Sequence, residues 1–265
     1  MFNLIWADLF KLRKSMAIKI LFGITTVSAV TMTVISYLIQ QGKLNGSMTG
    51  IGFLFADMNM MSILGAVMAG VSICGDFDNK TIHDAIANGC SRGVVIVSKA
   101  IVFFCAIVVL LSPYVLITSV ALGTGAKFSI GSVAIGFLNL LTSEAGAAFS
   151  AAEILKLLAV IMTLILVYVA QLSVCVPIAF VLKKPVFVVA IYYGLTILCA
   201  QFLGLKGSSP VFDSIFACTP FGGNYSFINL HTGTGDIFKA IFVCFMFIII
   251  MLAVTYFTFR KSEVK

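Results

Sequence analysis

The chain has 265 residues, of which 61% are hydrophobic and only 10% are charged, and its formal net charge is +7. Soluble domains carry about 25% charged residues, so this composition, with a mean hydropathy of +1.14, excludes an ordinary soluble fold and indicates a protein that lies in lipid. The basic residues stand at the ends of apolar runs and not in one patch, which argues against a nucleic-acid partner.

The first fifteen residues predict an amphipathic helix at the membrane surface. An interfacial helix places its tryptophan at headgroup depth and its cations toward anionic lipid. A signal peptide is disfavoured, because the apolar run that follows is too long and no A-x-A cleavage site closes it. The apolar stripe at helical spacing is Phe2, Ile5, Trp6, Leu9 and Phe10, and the polar residues off this stripe are Asn3, Asp8, Lys11 and Lys14.

Six apolar runs are long enough for membrane-spanning helices, which need about 20 residues each. They predict an all-α integral membrane protein with one transmembrane domain over residues 1–265 and with spans at about 17–39, 52–75, 93–121, 154–182, 185–204 and 237–259. We expect 122–151 to form an outer helix or a shallow re-entrant piece. We expect 205–235 to form a broken helical hairpin that dips into the outer leaflet.

Six spans place both chain ends on one side of the membrane. With the N-terminus inside, the inner segments hold 12 Lys and Arg residues and the outer segments hold 5, which together account for all 17. Cytoplasmic loops carry the excess of basic residues. The sequence therefore predicts a multi-pass protein of the cell membrane with both termini in the cytoplasm.

A polar segment, 76–99, separates the second and third spans and predicts a short cytoplasmic helix. Asp78 is suited to cap its start, and Gly89 is suited to end it because glycine tolerates the left-handed conformation. Between them, Ile82, Ala85 and Ile86 share one face. We interpret this apolar face as a contact for something outside the membrane.

Catalytic and metal-binding patterns are missing from the sequence. The segment 123–127 lacks the spacing and the flanking strand of a phosphate-binding loop, and His83 and His231 are predicted on opposite sides of the membrane. We find no paired catalytic residues at one depth in the bilayer. The sequence thus predicts a protein that is not an enzyme and that binds no metal or cofactor of its own.

Polar residues inside membrane spans are the default candidates for function. Asp57, Asn59 and Gln171 fall in this class and are candidates for a cargo path. Alternatively, Asp57 lies in a solvated helix start, and Gln171 makes a hydrogen bond between helices, worth about 0.6–2 kcal/mol.

Four stretches together resemble a known family. These are the interfacial start that ends in Phe10–Ser15, the loop Asp76–Ile82 followed by Gly89–Arg92 and Lys99, the outer tripeptide Thr219–Phe221, and a last span that ends in Phe259–Lys261. The pattern resembles the membrane subunits of ABC-2 type exporters, small bacterial permeases that pair with a separate ATPase chain. Many members carry Glu or Pro where this chain has Asp76 and Gly89.

The resemblance implies a mechanical role for the loop. Asp78 to Gly89 would be a coupling helix in a groove of the ATPase, and Arg92 and Lys99 would hold the base of span three at the headgroups. The first helix would be a connecting helix, and 205–235 would form part of an outer gate. The ATPase-contacting residues implied are Asp78, Lys80, Thr81, Ile82, Ala85, Ile86 and Arg92.

The resemblance also implies partners and a cargo class. ATP and Mg²⁺ would bind on the partner ATPase, and two permease copies, identical or homologous, would enclose the path. We expect an amphipathic or hydrophobic cargo such as an antimicrobial peptide, another small peptide or a drug, and self-protection of a producer cell fits equally well. The alternatives are a secondary transporter or channel driven by an ion gradient, for which Asp57 is the one candidate carboxylate, and an intramembrane enzyme.

Overall fold

The computed structural model describes residues 2–44, 54–130, 134–147, 149–205, 207, 209–222 and 225–261. The regular structure in these residues is helical, as predicted. By length and hydropathy the chain is a multi-pass membrane protein. The six helices that are long and apolar enough to cross a membrane are Met16–Gln40, Asp57–Asp78, Arg92–Gly123, Ala151–Leu182, Pro185–Phe202 and Thr234–Arg260.

The first half of the chain, up to Gly123, contains α1 (Phe2–Lys14), α2 (Met16–Gln40), α3 (Asp57–Ala69), a π-helical turn (Gly70–Cys74), α4 (Gly75–Asp78), α5 (Thr81–Ala87) and α6 (Arg92–Gly123). Beyond Gly123, the elements are α7 (Phe137–Ser143), α8 (Ala151–Leu172), α9 (Cys175–Leu182), α10 (Pro185–Gly204), α11 (Pro210–Ala217), a 3₁₀ turn (Tyr225–Phe227) and α12 (Thr234–Lys261).

Span three is the centre of the packing. Helix α6 contacts α1, α2, α3, α7, α8 and α12, and its side chains Phe103, Ile107 and Leu110 are fully buried. Spans five and six lie at the periphery, since only 11% and 17% of the residues in their most apolar stretches are buried, against 61% in span three. These two spans therefore present most of their apolar side chains to their surroundings.

Spans two and four are interrupted, which the sequence analysis did not predict. Span two contains the π-helical turn Gly70–Cys74, and span four breaks at Ser173 between α8 and α9. A Cβ added at Gly70 would lie 2.8 Å from the Cβ of Pro185, so glycine permits the close approach of span five. Such π-helical turns are rare and occur frequently at functional sites.

The segment 122–151 contains the predicted outer helix, and this helix is held inside the fold. The Asp57 carboxylate accepts a hydrogen bond from the backbone N–H of Phe137 at 2.8 Å and another from the Tyr168 hydroxyl. Because Phe137 begins α7, Asp57 caps this helix from another span. Asp57 is fully buried, so the interpretation of this residue as a solvated helix start is wrong.

The position before α7 requires glycine because of its backbone conformation and its close neighbours. Gly136 has a φ of +66°, and an added Cβ would overlap the Tyr168 hydroxyl and the Asp57 carboxylate. We expect Gly136→Ala to destabilise the protein by about 1–3 kcal/mol or more, since it adds backbone strain to a steric clash. The thermal unfolding midpoint in detergent measures this loss.

Gly194→Ala in span five is the matched control, because its added Cβ meets no atom within 4 Å. An equal loss of stability in the two variants would contradict the tight packing around Gly136.

Candidate functional site

Helix α1 presents one side to the protein and another to its surroundings. Leu4 and Leu12 pack against the buried core. Phe2, Trp6 and Phe10 are 74%, 72% and 53% exposed. An exposed aromatic stripe of this kind suits an interfacial helix, and the inner side of α1 is left to contact the spans.

A cluster of four charged side chains joins α1 to spans two and three. The Lys99 ammonium donates to the Asp76 carboxylate at 2.6 Å and to the Asp8 carboxylate at 2.7 Å. The Lys11 ammonium donates to the second Asp76 oxygen. Asp76 and Lys99 are each only 4% exposed. Two carboxylates balance two ammonium groups, so the cluster has no net formal charge.

The charge balance explains how these groups can be buried. Taking a charge out of water costs several kcal/mol, and this cost is offset only where each ion is paired and hydrogen-bonded. The resemblance implied that Lys99 holds the base of span three at the headgroups. Its ammonium group is paired instead with two carboxylates of the protein. The sequence analysis missed this pairing, since its members lie on three separate elements.

The short helix between spans two and three is present and begins later than predicted. Asp78 ends α4 and does not cap α5. Lys80 precedes α5 with a left-handed φ of 57°, and the Thr81 hydroxyl donates to the Asp76 carbonyl at 3.1 Å. The start of α5 is thus attached to the residue at the centre of the charged cluster.

Gly89 ends this helical segment as predicted. It has a φ of +88°, its N–H bonds to the Ile86 carbonyl at 3.0 Å, and the Cys90 N–H bonds to the Ala85 carbonyl at 3.0 Å. This pair of hydrogen bonds is a Schellman motif. The motif fixes the direction in which the chain leaves α5 toward span three.

The predicted contact face of α5 is turned inward. Ile82 is fully buried, and Ala85 and Ile86 pack against the same core. A seven-residue helix is too short to be stable alone, so its apolar side holds it on the chain's own spans. We therefore correct the predicted face, and the exposed residues of this segment include Asp78, Lys80, Thr81, Asp84 and Asn88.

Arg92 joins the start of span three to the end of span six. Its guanidinium donates to the carbonyls of Phe259 and Arg260 at 2.8 and 3.0 Å, where a cation is favoured by the helix dipole. The Phe259 ring contacts Phe77 and Phe180 at centroid distances of 6.1 and 5.1 Å. Arg92 thus joins spans three and six, and the ends of spans two, four and six that carry Phe77, Phe180 and Phe259 meet beside it.

The predicted cargo-path residues lie at the other end of the spans. Asn59 and Gln171 line one cavity of about 290 Å³, and Tyr168 lines it as well. The Gln171 amide donates to the Pro220 carbonyl at 3.0 Å. This side chain therefore makes a hydrogen bond, but to the turn at Pro220 and not to another helix as the alternative interpretation expected. Asp57 lies behind Tyr168, to which it is hydrogen-bonded.

Comparison with known proteins adds no family assignment. No protein-family model matches this chain, and no curated protein matches it.

The charged cluster predicts a large effect of a single neutral substitution. Lys99→Met leaves Asp8 without its ammonium partner and Asp76 with Lys11 alone. We expect a loss of about 3–5 kcal/mol in the free energy of unfolding, the range found when one partner of a buried ion pair is removed. Equilibrium unfolding in mixed micelles measures it.

Lys19→Met is the control, because Lys19 is exposed at the base of span one. Adding Asp76→Asn to Lys99→Met removes a charge that the first change left poorly paired, so we expect the double variant to regain part of the loss. Strictly additive losses would show that the two groups do not stabilise each other.

Proposed function

We propose that this chain is the transmembrane permease subunit of an ATP-driven ABC-2 type exporter. It moves an amphipathic or hydrophobic cargo, such as an antimicrobial peptide, another small peptide or a drug, out of the cell. A separate ATPase subunit binds ATP and Mg²⁺ and hydrolyses the nucleotide. The observation that carries the proposal is α5, a short helix fixed to the spans by Ile82 and exposed along its polar side.

The attachment of α5 suits the transfer of a mechanical displacement. The start of α5 bonds to Asp76 through Thr81, and Asp76 is paired with Lys99 of span three. Arg92, which follows α5 in the chain, donates a hydrogen bond to a carbonyl at the end of span six. A displacement of α5 would therefore act on spans two and three, which α5 contacts, and through Arg92 on span six.

The exposed side of α5 and the turn before it would form the contact with the ATPase. It carries both signs of charge, with Asp78 and Asp84 negative and Lys80 positive. Complementary charges across an interface give specificity and a fast association rate. This polar contact replaces the apolar contact that the sequence analysis predicted.

The proposed arrangement places both termini, α1 and α5 in the cytoplasm, according to the distribution of basic residues. Spans five and six have the least buried surface, which leaves room for lipid and for a second permease copy, identical or homologous. The alternative of a gradient-driven transporter is less well supported. Asp57 is its candidate carboxylate, and one oxygen of this group is already committed to the start of α7.

Charge reversal on the exposed side tests the proposed contact. Asp84→Arg places a cation on α5 without changing its buried side. We expect the amount of ATPase chain that co-purifies in mild detergent to fall about tenfold or more, as expected when charges across an interface are mismatched. Quantitative mass spectrometry of the purified complex measures this ratio.

Asp236→Arg makes the same charge change at an exposed position at the start of span six, on the opposite side of the membrane in the proposed topology. We expect wild-type recovery of the ATPase from this variant. Undiminished recovery from Asp84→Arg as well would remove α5 from the contact.

Substitutions at Ile82 distinguish an apolar side of α5 that is buried in the permease from one that contacts the ATPase. Ile82→Asp introduces a charge into a fully buried position, so we expect the permease itself to misfold and to lose its monodisperse peak in size-exclusion chromatography. Ile82→Val, which costs about 0.5–1.5 kcal/mol, should fold. A well-folded Ile82→Asp protein that has lost only its ATPase would support the apolar contact face instead.

A further inference from the structure

The cavity near Gln171, which opens beside span five, is large enough to hold a small ligand. Close-packed protein interiors contain few voids larger than one water molecule. This cavity measures about 290 Å³, roughly twice the ~150 Å³ of an apolar cavity that is large enough to bind benzene. A void of this size favours a ligand that fills it.

The walls of the cavity are mostly apolar and carry polar groups without a formal charge. The described residues that line it include Met61, Leu138, Leu172 and Phe221, and its polar members are Asn59, Ser62, Tyr168, Gln171, Tyr192, Tyr193, Thr196 and Gln201. A charged group would lose its hydration there without an opposite charge among these residues. The chemistry of the walls therefore selects an uncharged, largely apolar ligand.

The walls are fixed in place before any ligand binds. Tyr168 is held by Asp57, and Gln171 is held by the Pro220 carbonyl at 3.0 Å. The hydroxyl groups of Ser62 and Thr196 donate to carbonyls of their own helices at 2.8 and 2.7 Å. Preformed cavities with few convergent polar groups are typical of small-molecule sites.

The exposed residues of the lining show where a ligand would enter. Ile197, Ala200 and Gln201 are exposed, and all three belong to span five. The lining residues of spans two and four are buried or half-buried. Span five is also the span with the smallest buried share, 11%. A ligand that is dissolved in the bilayer can therefore reach the cavity sideways, past span five.

We propose that this cavity is a binding site for an uncharged alkyl chain that enters from the bilayer past Ala200. The chain lies between spans two, four and five, with Phe221 beside it. The shared chemistry fits the chain of a free amphipathic ligand or the acyl chain of a bilayer lipid. The site lies within one chain and does not depend on the proposed ATPase partner.

Photo-labelling of the full-length protein in phosphatidylcholine vesicles tests the site. The probe is decanol with a diazirine in its alkyl chain, and the readout is the label found in the peptide that contains 168–172, which forms a buried wall of the cavity. We expect labelling of this wall, and we expect unlabelled decanol to compete for it better than decyltrimethylammonium, because the cation must stay outside the uncharged cavity.

Two tryptophan variants separate entry into the cavity from general partition into the membrane. Ala200→Trp places a bulky side chain at the mouth, whereas Leu198→Trp places it at a position that is 59% exposed and outside the lining. We expect Ala200→Trp to lower wall labelling roughly tenfold, as overfilling of a site would. We expect Leu198→Trp to leave it unchanged.

A second probe identifies the source of the chain. If phosphatidylcholine with a diazirine in its acyl chain labels the same wall, the ligand is a bilayer lipid. If only the decanol probe does so, the ligand is a free amphipathic molecule of the cargo type. Absence of wall labelling with both probes, or equal labelling in the two tryptophan variants, would overturn the proposal. The assay contains no ATPase, so failure of the exporter proposal would leave its outcome unchanged.

Discussion

The end of the spans at which the polar segment 76–99 lies depends on the contact between Asp76 and Lys99. Both side chains are almost fully removed from solvent, and each is acceptable there only because it is paired with opposite charges. Asp8 and Lys11 complete the balance from α1. One residue at the end of span two thus joins α1, span three and the start of α5.

At the opposite end of the spans, buried polar groups again hold neighbouring elements together, but the residues are different. The buried Asp57 carboxylate holds the start of α7, and the buried Glu144 carboxylate at its end accepts the Leu230 N–H at 2.9 Å. Gln171 is hydrogen-bonded to the Pro220 carbonyl. Buried polar groups that are hydrogen-bonded favour one arrangement of the elements around them, and here these bonds hold the cavity walls. The second Asp57 oxygen has no hydrogen-bond partner among the described residues. The two ends are joined by the packed length of span three.

The sequence predicted the parts of this structure that local patterns determine. The hydropathy pattern predicted span one at 17–39, and the helix is Met16–Gln40. The two agree because the length of an apolar run is a property of the local sequence. Gly89 was identified as a helix end because its conformational freedom is local. The loop of 76–99, which carries part of the resemblance, contains α5 and the two central residues of the charged cluster, Asp76 and Lys99.

The parts that the sequence did not predict depend on neighbours that are distant in the chain. The apolar side of α5 was interpreted as a partner contact, but Ile82 is buried in the chain's own core. Periodicity shows that such a side exists and does not show what covers it. Asp57 was interpreted as solvated because it begins a span, whereas its partners are Phe137 and Tyr168. The π-helical turn in span two reflects its packing beside Pro185, which no local pattern records.

The most direct test of the central claim is site-specific photo-crosslinking in the native membrane from position 84 on α5. A photoreactive amino acid replaces Asp84, and the same amino acid replaces Lys239, near the start of span six, as the control for the other side. We expect a cross-linked product from position 84 that contains an ATP-binding ATPase chain, and no such product from position 239. A product with the ATPase from position 239, or from neither position, would contradict the assignment of α5 as the ATPase contact.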